Sequence, residues 1–423
     1  MSGSSRRYRP TALDRALAGS RVVSVIGPVR DLRAEDVRAA LSRLVHTAPD
    51  GRVALNPDPN AAEWEYRPDL VEHAVAEVAP VGPDGIAGLL TEVRNRPGPR
   101  LPVEITVSGD YIVVDVSHAL GDGLLIVLIL TALANGPDTG GMDALAARAL
   151  PADGLRSGLW RHFRADPRRL RQVLRLRARH RALDGTPEEP IELGEWESTK
   201  RAVISRMPGE QIAALRAWGK EHEPGATTAS LSAALYATAL RDEGIECDDR
   251  MFVLMDCRRY LPEQQRLRNG NFAVGISLRF DARPQPRAIA EAVREVTESG
   301  WPIAAMGIGE VKSALRRPRS AAGAPVVTAQ RRVRLAVSDM GRPAALEAVR
   351  WSDDGRPPVV IPYIDPDGPD AMTLCVLEVG GGRVVSASFH DSVIDRGRVQ
   401  AALDRASADP VAVLSGAGRA DAG

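Results

Sequence analysis

The chain has 423 residues and a mass of 45.4 kDa, enough for two or three domains or for one large two-lobed unit. Hydrophobic residues make up 44% of it, so the chain can bury a sizeable core and is not intrinsically disordered. Lysine plus arginine and aspartate plus glutamate both number 55, and this balance argues against a general nucleic-acid binder.

The cysteines and the apolar segments indicate in which compartment the protein is expected. The three cysteines, Cys247, Cys257 and Cys375, are odd in number and far apart, which disfavours a disulfide-stapled fold and a cysteine-based zinc site. The N-terminal residues have no apolar core behind their arginines, so no secretory signal is predicted. The longest apolar run, 124–134, is about half of the roughly 20 residues that a bilayer span requires. We therefore expect a cytoplasmic protein without a transmembrane segment.

The first predicted elements are a mixture of helices and strands. Residues 33–46 repeat apolar side chains at helical spacing and carry two acids in the first turn, which favours a helix. Residues 111–116 (YIVVDV) are rich in β-branched side chains and predict a strand. A glycine-containing loop, 117–123, and a buried helix that starts near Leu124 follow it.

The composition changes at residues 135–192. Residues 155–183 carry ten arginines against a single acid, Asp166. We interpret 151–192 as a crossover between an N-terminal lobe, 1–150, and a C-terminal lobe, 193–423. Its arginines are expected to form the solvated face of a helix. The alternative is a surface that attracts a polyanion, namely the phosphates of coenzyme A, the acidic face of a carrier protein or an anionic membrane.

The second half returns to alternating helices and strands. Its periodicities predict four helices and six strands. The helices are expected at 209–221, 228–242, 287–299 and about 396–406. The strands are expected at 251–256, 273–280, near 332–338, 358–364, 371–379 and 383–389. Residues 383–403 also echo residues 111–130 as a strand, a loop with His and Asp, and a helix, which suggests two lobes of similar architecture.

Several common site signatures are absent from the sequence. It contains no GxxxxGK[ST] phosphate loop, no GxSxG nucleophile elbow, no HExxH zinc helix and no GxGxxG dinucleotide turn. This disfavours P-loop NTPases, α/β-hydrolases, zinc peptidases and ordinary dinucleotide-binding enzymes.

The informative motif is HxxxDG, formed by His118, Asp122 and Gly123. The histidine follows a predicted strand and the aspartate precedes a predicted helix, with glycine for a tight loop between them. By itself the pattern is weak, because His118 shares a strand face with apolar residues and could be a core histidine. Asp122 could serve only as the N-cap of the helix.

Three further segments follow this motif: VLMDCRRYLP (253–262), NGNFAVGISLRF (269–280) and AVSDMGRP (336–343). In this order the four segments resemble those of the HxxxD(G) acyltransferase superfamily. It contains chloramphenicol acetyltransferase, the condensation domains of nonribosomal peptide synthetases, the BAHD acyltransferases and the wax ester synthases. The chain departs from the family pattern at Ser117, where condensation domains have a first histidine, and at Ala273, Gly275 and Asp339.

The resemblance implies an α/β (α+β) fold of two chloramphenicol-acetyltransferase-like lobes in a V, with a central tunnel and His118 at its middle. It implies a free-standing acyltransferase that moves an acyl group from coenzyme A or from a carrier-protein phosphopantetheine onto a hydroxyl or amine of a small molecule. No tightly bound cofactor, metal or nucleic acid is expected, and an acyl or peptidyl carrier protein is a candidate partner. The alternative is a non-catalytic protein of the same fold that binds a carrier protein or another partner.

The resemblance also assigns roles to residues. His118 is the expected general base, since a neutral imidazole can take the proton of the attacking group while the thiolate leaves without strong acid assistance. The family's aspartate pairs with an arginine, so Asp122 is expected to pair with Arg258, or failing that with Arg259. Gly123 is expected to permit close packing.

Other residues are candidates for secondary roles. Ser338 and Asn271 are candidate donors to the oxyanion of the tetrahedral intermediate, beside backbone N–H groups after His118. Asn271 has the alternative of simply forming a turn. His390, with Asp395 five residues on, is a competing candidate for the base.

Overall fold

The computed structural model describes nine segments of the chain. They are residues 7–47, 51–71, 73–137, 154–181, 191–193, 196–266, 269–315, 327–329 and 332–416. Residues 138–153 and 182–190, on either side of the arginine-rich helices, lie outside the described residues, as do the last seven residues of the chain.

Twelve α-helices occur in the described segments, and several begin at a side-chain cap. Thr11, Asp122, Thr227 and Asp395 each accept a backbone N–H of the first turn, which is the usual role of Thr and Asp at this position. The helices are α1 (Ala12–Leu17), α2 (Ala34–Thr47), α3 (Ile86–Asn95), α4 (Gly123–Asn135), α5 (Gly154–Ala165), α6 (Arg168–Arg179), α7 (Gly209–His222), α8 (Thr228–Asp242), α9 (Pro286–Ser299), α10 (Trp301–Leu315), α11 (Arg396–Ala408) and α12 (Pro410–Ser415).

The strands of the described segments form two large sheets and two small ones. They are β1 (Arg7–Tyr8), β2 (Arg21–Gly27), β3 (Leu55–Asn56), β4 (Trp64–Tyr66), β5 (Val75–Val78), β6 (Val103–Ser108), β7 (Tyr111–Ser117), β8 (Ile191–Leu193), β9 (Lys200–Met207), β10 (Cys247–Asp256), β11 (Ala273–Arg279), β12 (Val327–Ala329), β13 (Val333–Asp339), β14 (Val359–Ile364), β15 (Ala371–Val379) and β16 (Gly382–His390).

The first large sheet has five strands in the order β14-β2-β7-β6-β5. Its central strand β7 is antiparallel to β2 and β6, and every one of its residues is buried. Helices α2, α3 and α4 pack on this sheet and complete one hydrophobic core. His118 therefore follows directly after a strand that is buried on both faces and held rigidly by close packing.

The second large sheet has six strands in the order β11-β10-β13-β15-β16-β9. Strands β10, β13 and β15 run parallel to one another, and the remaining neighbours are antiparallel. Helices α7, α8, α11 and α12 supply most of the other side of a second core. The ends of β10 and β13 bear the segments 253–262 and 336–343 that the sequence singled out.

Strand β14 corrects the predicted division of the chain into lobes 1–150 and 193–423. It belongs to the second half of the sequence, yet it pairs with β2 at the edge of the first sheet. Ser386 and Ser388 of β16 donate hydrogen bonds to carbonyl groups of β14, so the same strand also covers the second sheet. The two lobes are joined by an exchanged strand, which local sequence patterns do not reveal.

The arginine-rich helices α5 and α6 pack on the second lobe. Leu159 of α5 lies against a cluster formed by Tyr260, Ile303 and their neighbours, and Leu176 of α6 lies against Val296 of α9. The predicted crossover is thus two helices that cover α9 and α10.

Candidate active site

The HxxxDG motif occupies the connection between β7 and α4. Strand β7 ends at Ser117, residues His118–Leu120 form a single 3-10 turn, and α4 begins at Gly123. Asp122 caps the helix, with its Oδ1 accepting the N–H of Leu124 at 3.3 Å. The predicted arrangement of strand, short loop and capped helix is what the structure has.

His118 is anchored through its backbone while its ring is unengaged. Its N–H donates to the carbonyl of Ser20 at 2.9 Å, and its carbonyl accepts from the side chain of Asn271 at 3.0 Å. The side chain is half-buried, with Nδ1 buried and without a hydrogen-bond partner. Within the described part of the chain the ring makes no hydrogen bond, and Nε2, which is not among the buried atoms, is the ring nitrogen available to an incoming group.

Asp122 and Arg258 form a buried, bidentate ion pair. Arg258 Nη1 lies 2.7 Å from Asp122 Oδ2, and Arg258 Nη2 lies 3.1 Å from Asp122 Oδ1. The two residues are 7% and 2% exposed, respectively, and Asp122 also accepts the N–H of Phe272 at 3.0 Å. Arg259, the second candidate for this pair, is exposed. The pair ties the loop of the first lobe to the second lobe.

The charge of Arg258 is maintained by its partner in spite of burial. Burial has the largest single effect and lowers the pKa of the guanidinium, but the carboxylates of Asp122 and Asp256 together outweigh it, and the pKa is raised above its ordinary value. Arg258 also donates to the carbonyl of Gly270 at 2.8 Å and to Asp256 at 3.2 Å. All of these acceptors lie on the second lobe except Asp122, so the side chain acts as the link between the lobes.

A second arginine, the half-buried Arg52, braces the loop from the first lobe, and sequence reasoning missed it. Its guanidinium donates to the carbonyls of Ala119 and Leu120, and it pairs with Asp14 at 2.6 Å. Burial has the largest single effect and opposes ionisation of both residues, but the charge of the partner and the surrounding hydrogen bonds together outweigh it. The pKa of Arg52 is raised and the pKa of Asp14 is lowered. The only signal at Asp14 was its capping-box spacing with Thr11, which indicates a helix start and not an ion pair.

Asn271 is a brace of the loop, which corrects its predicted role as an oxyanion donor. Its Nδ2 lies 3.0 Å from Asp14 Oδ1, 3.0 Å from the carbonyl of His118 and 3.1 Å from the carbonyl of Ala119. The two N–H bonds of the amide are therefore directed at acceptors of the first lobe, and the residue is buried. No donor of Asn271 remains for a substrate oxygen.

A cavity of about 430 Å³ lies on the other side of Arg258, between α8, α9 and the strands β10 and β13. Its apolar lining comes from Val253, Met255, Ile289, Val293 and Val337, and its polar lining includes Asp256, Arg258, Arg259 and Asp339. His118 is not among the residues that line it. The predicted central tunnel with His118 at its middle therefore stays a prediction.

Solved structures resemble the chain over nearly its full length, although no protein-family model and no curated protein matches it. A trichothecene 15-O-acetyltransferase, TRI3 of Fusarium sporotrichioides, is 13% identical with a TM-score of 0.61 and covers 98% of this chain and 97% of its own. The first condensation domain of the calcium-dependent antibiotic synthetase is 16% identical with a TM-score of 0.61, over 97% of this chain and 98% of that one. The chain has the condensation-domain fold.

The condensation-domain fold is the fold that the resemblance in the sequence implied, and it confirms the predicted two-lobed α/β architecture. The condensation domain of the monacolin K polyketide synthase MokA shows the same likeness, with 13% identity, a TM-score of 0.57 and 97% of each chain covered. At these identities the likeness concerns the fold and not the substrates. None of the helices in the described segments is long and apolar enough to cross a membrane.

Two glycines of the motif loop differ in how tightly they are enclosed in this condensation-domain fold. A Cβ at Gly121 would lie 2.5 Å from Leu125 Cδ2 and 2.8 Å from Leu125 Cβ. A Cβ at Gly123 would meet Met340 Cε at 2.8 Å, the mobile tip of a flexible side chain. At Gly123 the close contact is with a side chain that can move, whereas Gly121, which the sequence analysis considered only for the tightness of the loop, is tightly confined.

We expect Gly121→Ala to lower the free energy of unfolding by about 1–3 kcal/mol, because the new methyl group overpacks against Leu125. The matched control is Gly123→Ala, which is expected to change it by less than about 1 kcal/mol, since alanine favours the helix and Met340 can move aside. Denaturant unfolding of both variants measures the difference. Equal effects at the two positions would contradict this account of the loop.

Ser338 and Asp339 lie at the end of β13, close to the motif loop. Ser338 is half-buried, and its hydroxyl makes no hydrogen bond within the described part of the chain. Asp339 accepts the N–H of Gly341 at 2.8 Å, and burial raises the pKa of its carboxyl group. Asp339 therefore closes the turn after β13, while Ser338 retains a free donor.

His390, the competing candidate for the base, is sealed in the second lobe. It is fully buried at the end of β16, its Nδ1 lies 3.0 Å from the carbonyl of Trp196, and its Nε2 is buried without a partner. Asp395 caps α11 through the N–H of Arg398 at 2.8 Å and does not bond the ring. These contacts describe a core histidine.

His390 provides a prediction for the pH dependence of stability. Burial has the largest effect and lowers the pKa of His390 below 6.5. The hydrogen bond to Trp196 and the charge of Asp365 each raise the pKa. The charges of Lys200 and Arg94 lower it, so the net shift is downward. Below about pH 6.5 the unfolded chain therefore binds a proton at this histidine that the folded protein does not bind. The contribution of His390 to stability is full above about pH 6.5 and is lost as the pH falls through the pKa of the folded state.

We expect His390→Gln to flatten the fall in melting temperature between about pH 7 and pH 5. His46→Gln, at an exposed position of α2, is the control and should retain the slope of the unaltered protein. Thermal unfolding at a series of pH values measures both slopes. An unchanged slope in His390→Gln would show that its protonation does not limit stability.

Proposed function

We propose that the chain is a condensation-type acyltransferase that moves an acyl group from a thioester of coenzyme A or of a carrier-protein phosphopantetheine onto a hydroxyl or amine of a small molecule. The observation that carries this proposal is the setting of His118. Its ring is free of hydrogen bonds, and its loop is held by Arg52 from one lobe and by Arg258 and Asn271 from the other. A general base must lie within hydrogen-bond reach of the proton that it takes, and this anchoring of the loop supports that role for His118.

In the proposed reaction His118 acts on the acceptor. Neutral imidazole takes the O–H or N–H proton as the acceptor oxygen or nitrogen bonds to the thioester carbonyl carbon. The resulting tetrahedral intermediate collapses, the C–S bond breaks, and the imidazolium returns the proton to the departing thiolate. The products are an ester or amide and a free thiol, and no covalent enzyme intermediate is required.

Other residues have supporting roles in this proposal. Asp122 is a positioning residue. The hydrogen bonds of its carboxylate go to Arg258, to the N–H of Phe272 and to the start of α4, so they hold the loop in place. Ser338 is the remaining side-chain candidate for an oxyanion donor. The apolar cavity beside Arg258 is the candidate site for the apolar part of a substrate.

A thiol-release assay tests the proposal. The protein is incubated with a panel of acyl-CoA thioesters and acyl-loaded carrier proteins, each with and without candidate alcohols and amines, and mass spectrometry identifies the product bond. We expect acceptor-dependent release of thiol together with an ester or amide for at least one pair. Saturable binding of an acyl-loaded carrier protein with no thiol release from any pair would favour the non-catalytic alternative.

A further inference from the structure

The outward face of α5 and α6 exposes large apolar side chains. Trp160 is 67% exposed, Leu170 is 52% exposed and Leu174 is 66% exposed. They are three of the six large hydrophobic residues that are exposed in the described segments. Scattered apolar residues on a surface need no explanation, but three on two consecutive short helices form a patch that does.

The exposed leucines are not part of the stripe that attaches α6 to the protein. Val173 and Leu176 are the buried residues of this helix, and they face α9 and its neighbours. Leu170 and Leu174 lie one turn apart on another side of the helix, directed away from the core. Helix α6 therefore has exposed apolar side chains in addition to those that pack it against the protein.

Arginines without partners surround these apolar side chains. Eight exposed arginines of this face form no ion pair within the described part of the chain: Arg156, Arg161, Arg164, Arg168, Arg171, Arg175, Arg177 and Arg181. Arg164 instead lies over the ring of Trp160, with its guanidinium carbon 5.5 Å from the ring centre. Arg179 is paired with Glu295 at 2.6 Å, and Asp166 is the only acid in either helix or between them. We call the eight arginines with Trp160, Leu170 and Leu174 the basic–apolar face.

The sequence order places the two kinds of side chain together. On α6, Arg171 and Arg177 lie three residues before and three residues after Leu174, so each is one turn away from it. Because the whole chain has equal numbers of acidic and basic residues, this concentration of positive charge is local to the face. A partner that complements this face carries negative charge for the arginines and, next to that charge, an apolar region for the tryptophan and the leucines.

We propose that the basic–apolar face docks the protein on an anionic lipid surface. Lipid phosphates would receive the guanidinium groups, the two leucines would enter the boundary of the acyl chains, and Trp160 would lie at the headgroup level that tryptophan favours. The two helices are consecutive in the chain and contact each other, so their exposed side chains can engage one extended partner surface. Such docking needs no spanning helix and does not depend on the acyl-transfer proposal.

Flotation of the full chain with lipid vesicles tests this proposal. One vesicle is phosphatidylcholine alone, and the other contains about one third phosphatidylglycerol. We expect binding to the anionic vesicle and little to the neutral one. Arg171→Gln with Arg175→Gln should weaken the anionic binding by roughly 25-fold, at about fivefold for each charge near the surface. Leu170→Ser with Leu174→Ser should weaken it as well, and all four positions are exposed, so the fold is expected to survive.

A matched variant separates this face from general electrostatics. Arg38→Gln with Arg396→Gln removes the same charge from exposed positions on α2 and α11, and its vesicle binding should equal that of the unaltered protein. The proposal is overturned if this control loses as much binding as the α6 variant, or if the unaltered protein binds neither vesicle. It is also overturned if the α6 variant binds vesicles normally but loses binding to an acidic carrier protein, which would identify a protein partner instead.

Discussion

Asp122→Ala is expected to lower the free energy of unfolding by about 3–5 kcal/mol, because it leaves the guanidinium of Arg258 buried without its main counter-charge. Arg258 is 2% exposed, and the acceptors that it retains include one carboxylate oxygen of Asp256 and the carbonyl of Gly270. The substitution also removes the acceptor of the Phe272 N–H and the cap of α4. Chemical denaturation followed by circular dichroism measures the loss.

Two companion variants make this expectation specific. Arg259→Ala removes an exposed neighbour of the same charge and is expected to change stability by less than about 0.5 kcal/mol. Asp122→Leu combined with Arg258→Met replaces the pair with apolar side chains and should recover much of the loss, as buried ion pairs often allow. If Asp122→Ala were as stable as the unaltered protein, the pair would not be what joins the loop to the second lobe.

Much of the fold could be predicted because its elements have strong local periodicity. The strand predicted at 371–379 is Ala371–Val379 in the structure, and the helix predicted at 228–242 is Thr228–Asp242. Helix α10, by contrast, was not predicted, since glycines at 307 and 309 weaken its helical signal. In the structure a Cβ at Gly307 would lie 2.9 Å from Leu159 of α5, so packing between distant helices accounts for this glycine.

The exchanged strand β14 shows a different limit of local patterns. The sequence predicted a strand at 358–364, and the structure has one at Val359–Ile364. Its sequence, VVIPYI, is a continuous apolar run that is equally suited to either sheet, and the choice of partner depends on the pairing with β2 and on the serines of β16 that bond its carbonyls. Which sheet a strand joins is decided by contacts far away in sequence.

The candidate site likewise contains some residues that the sequence could relate to one another and others that only the fold brings together. The motif and Arg258 stand in segments whose order resembles that of known acyltransferases, so the sequence could relate them. Asp14, Arg52 and Asn271 come from three separate segments, and Asn271 is 257 residues from the Asp14 that it bonds. Each is a polar residue of a type that is usually exposed, and only the fold reveals that they meet behind one loop.

His118→Ala is expected to reduce acceptor-dependent thiol release by about 10²–10⁴-fold with the donor and acceptor pair identified in the panel, because proton removal from the acceptor then falls to water. The loss should appear mainly in kcat, since the base acts in the transition state and contributes little to binding of the ground state. The ring makes no hydrogen bond in the described structure, so removing it breaks no polar contact of the fold. Steady-state kinetics, with a melting curve for each variant, measures both properties.

His390→Gln is the control for His118→Ala, since His390 also ends a strand that precedes a helix but is sealed in the second lobe. At about pH 7 this control should retain the thiol-release activity of the unaltered protein. A folded His118→Ala with full activity would remove the imidazole from the mechanism, and activity would have to be sought at other groups. The four braces at Arg52, Asp122, Arg258 and Asn271 would then serve only to hold the lobes together.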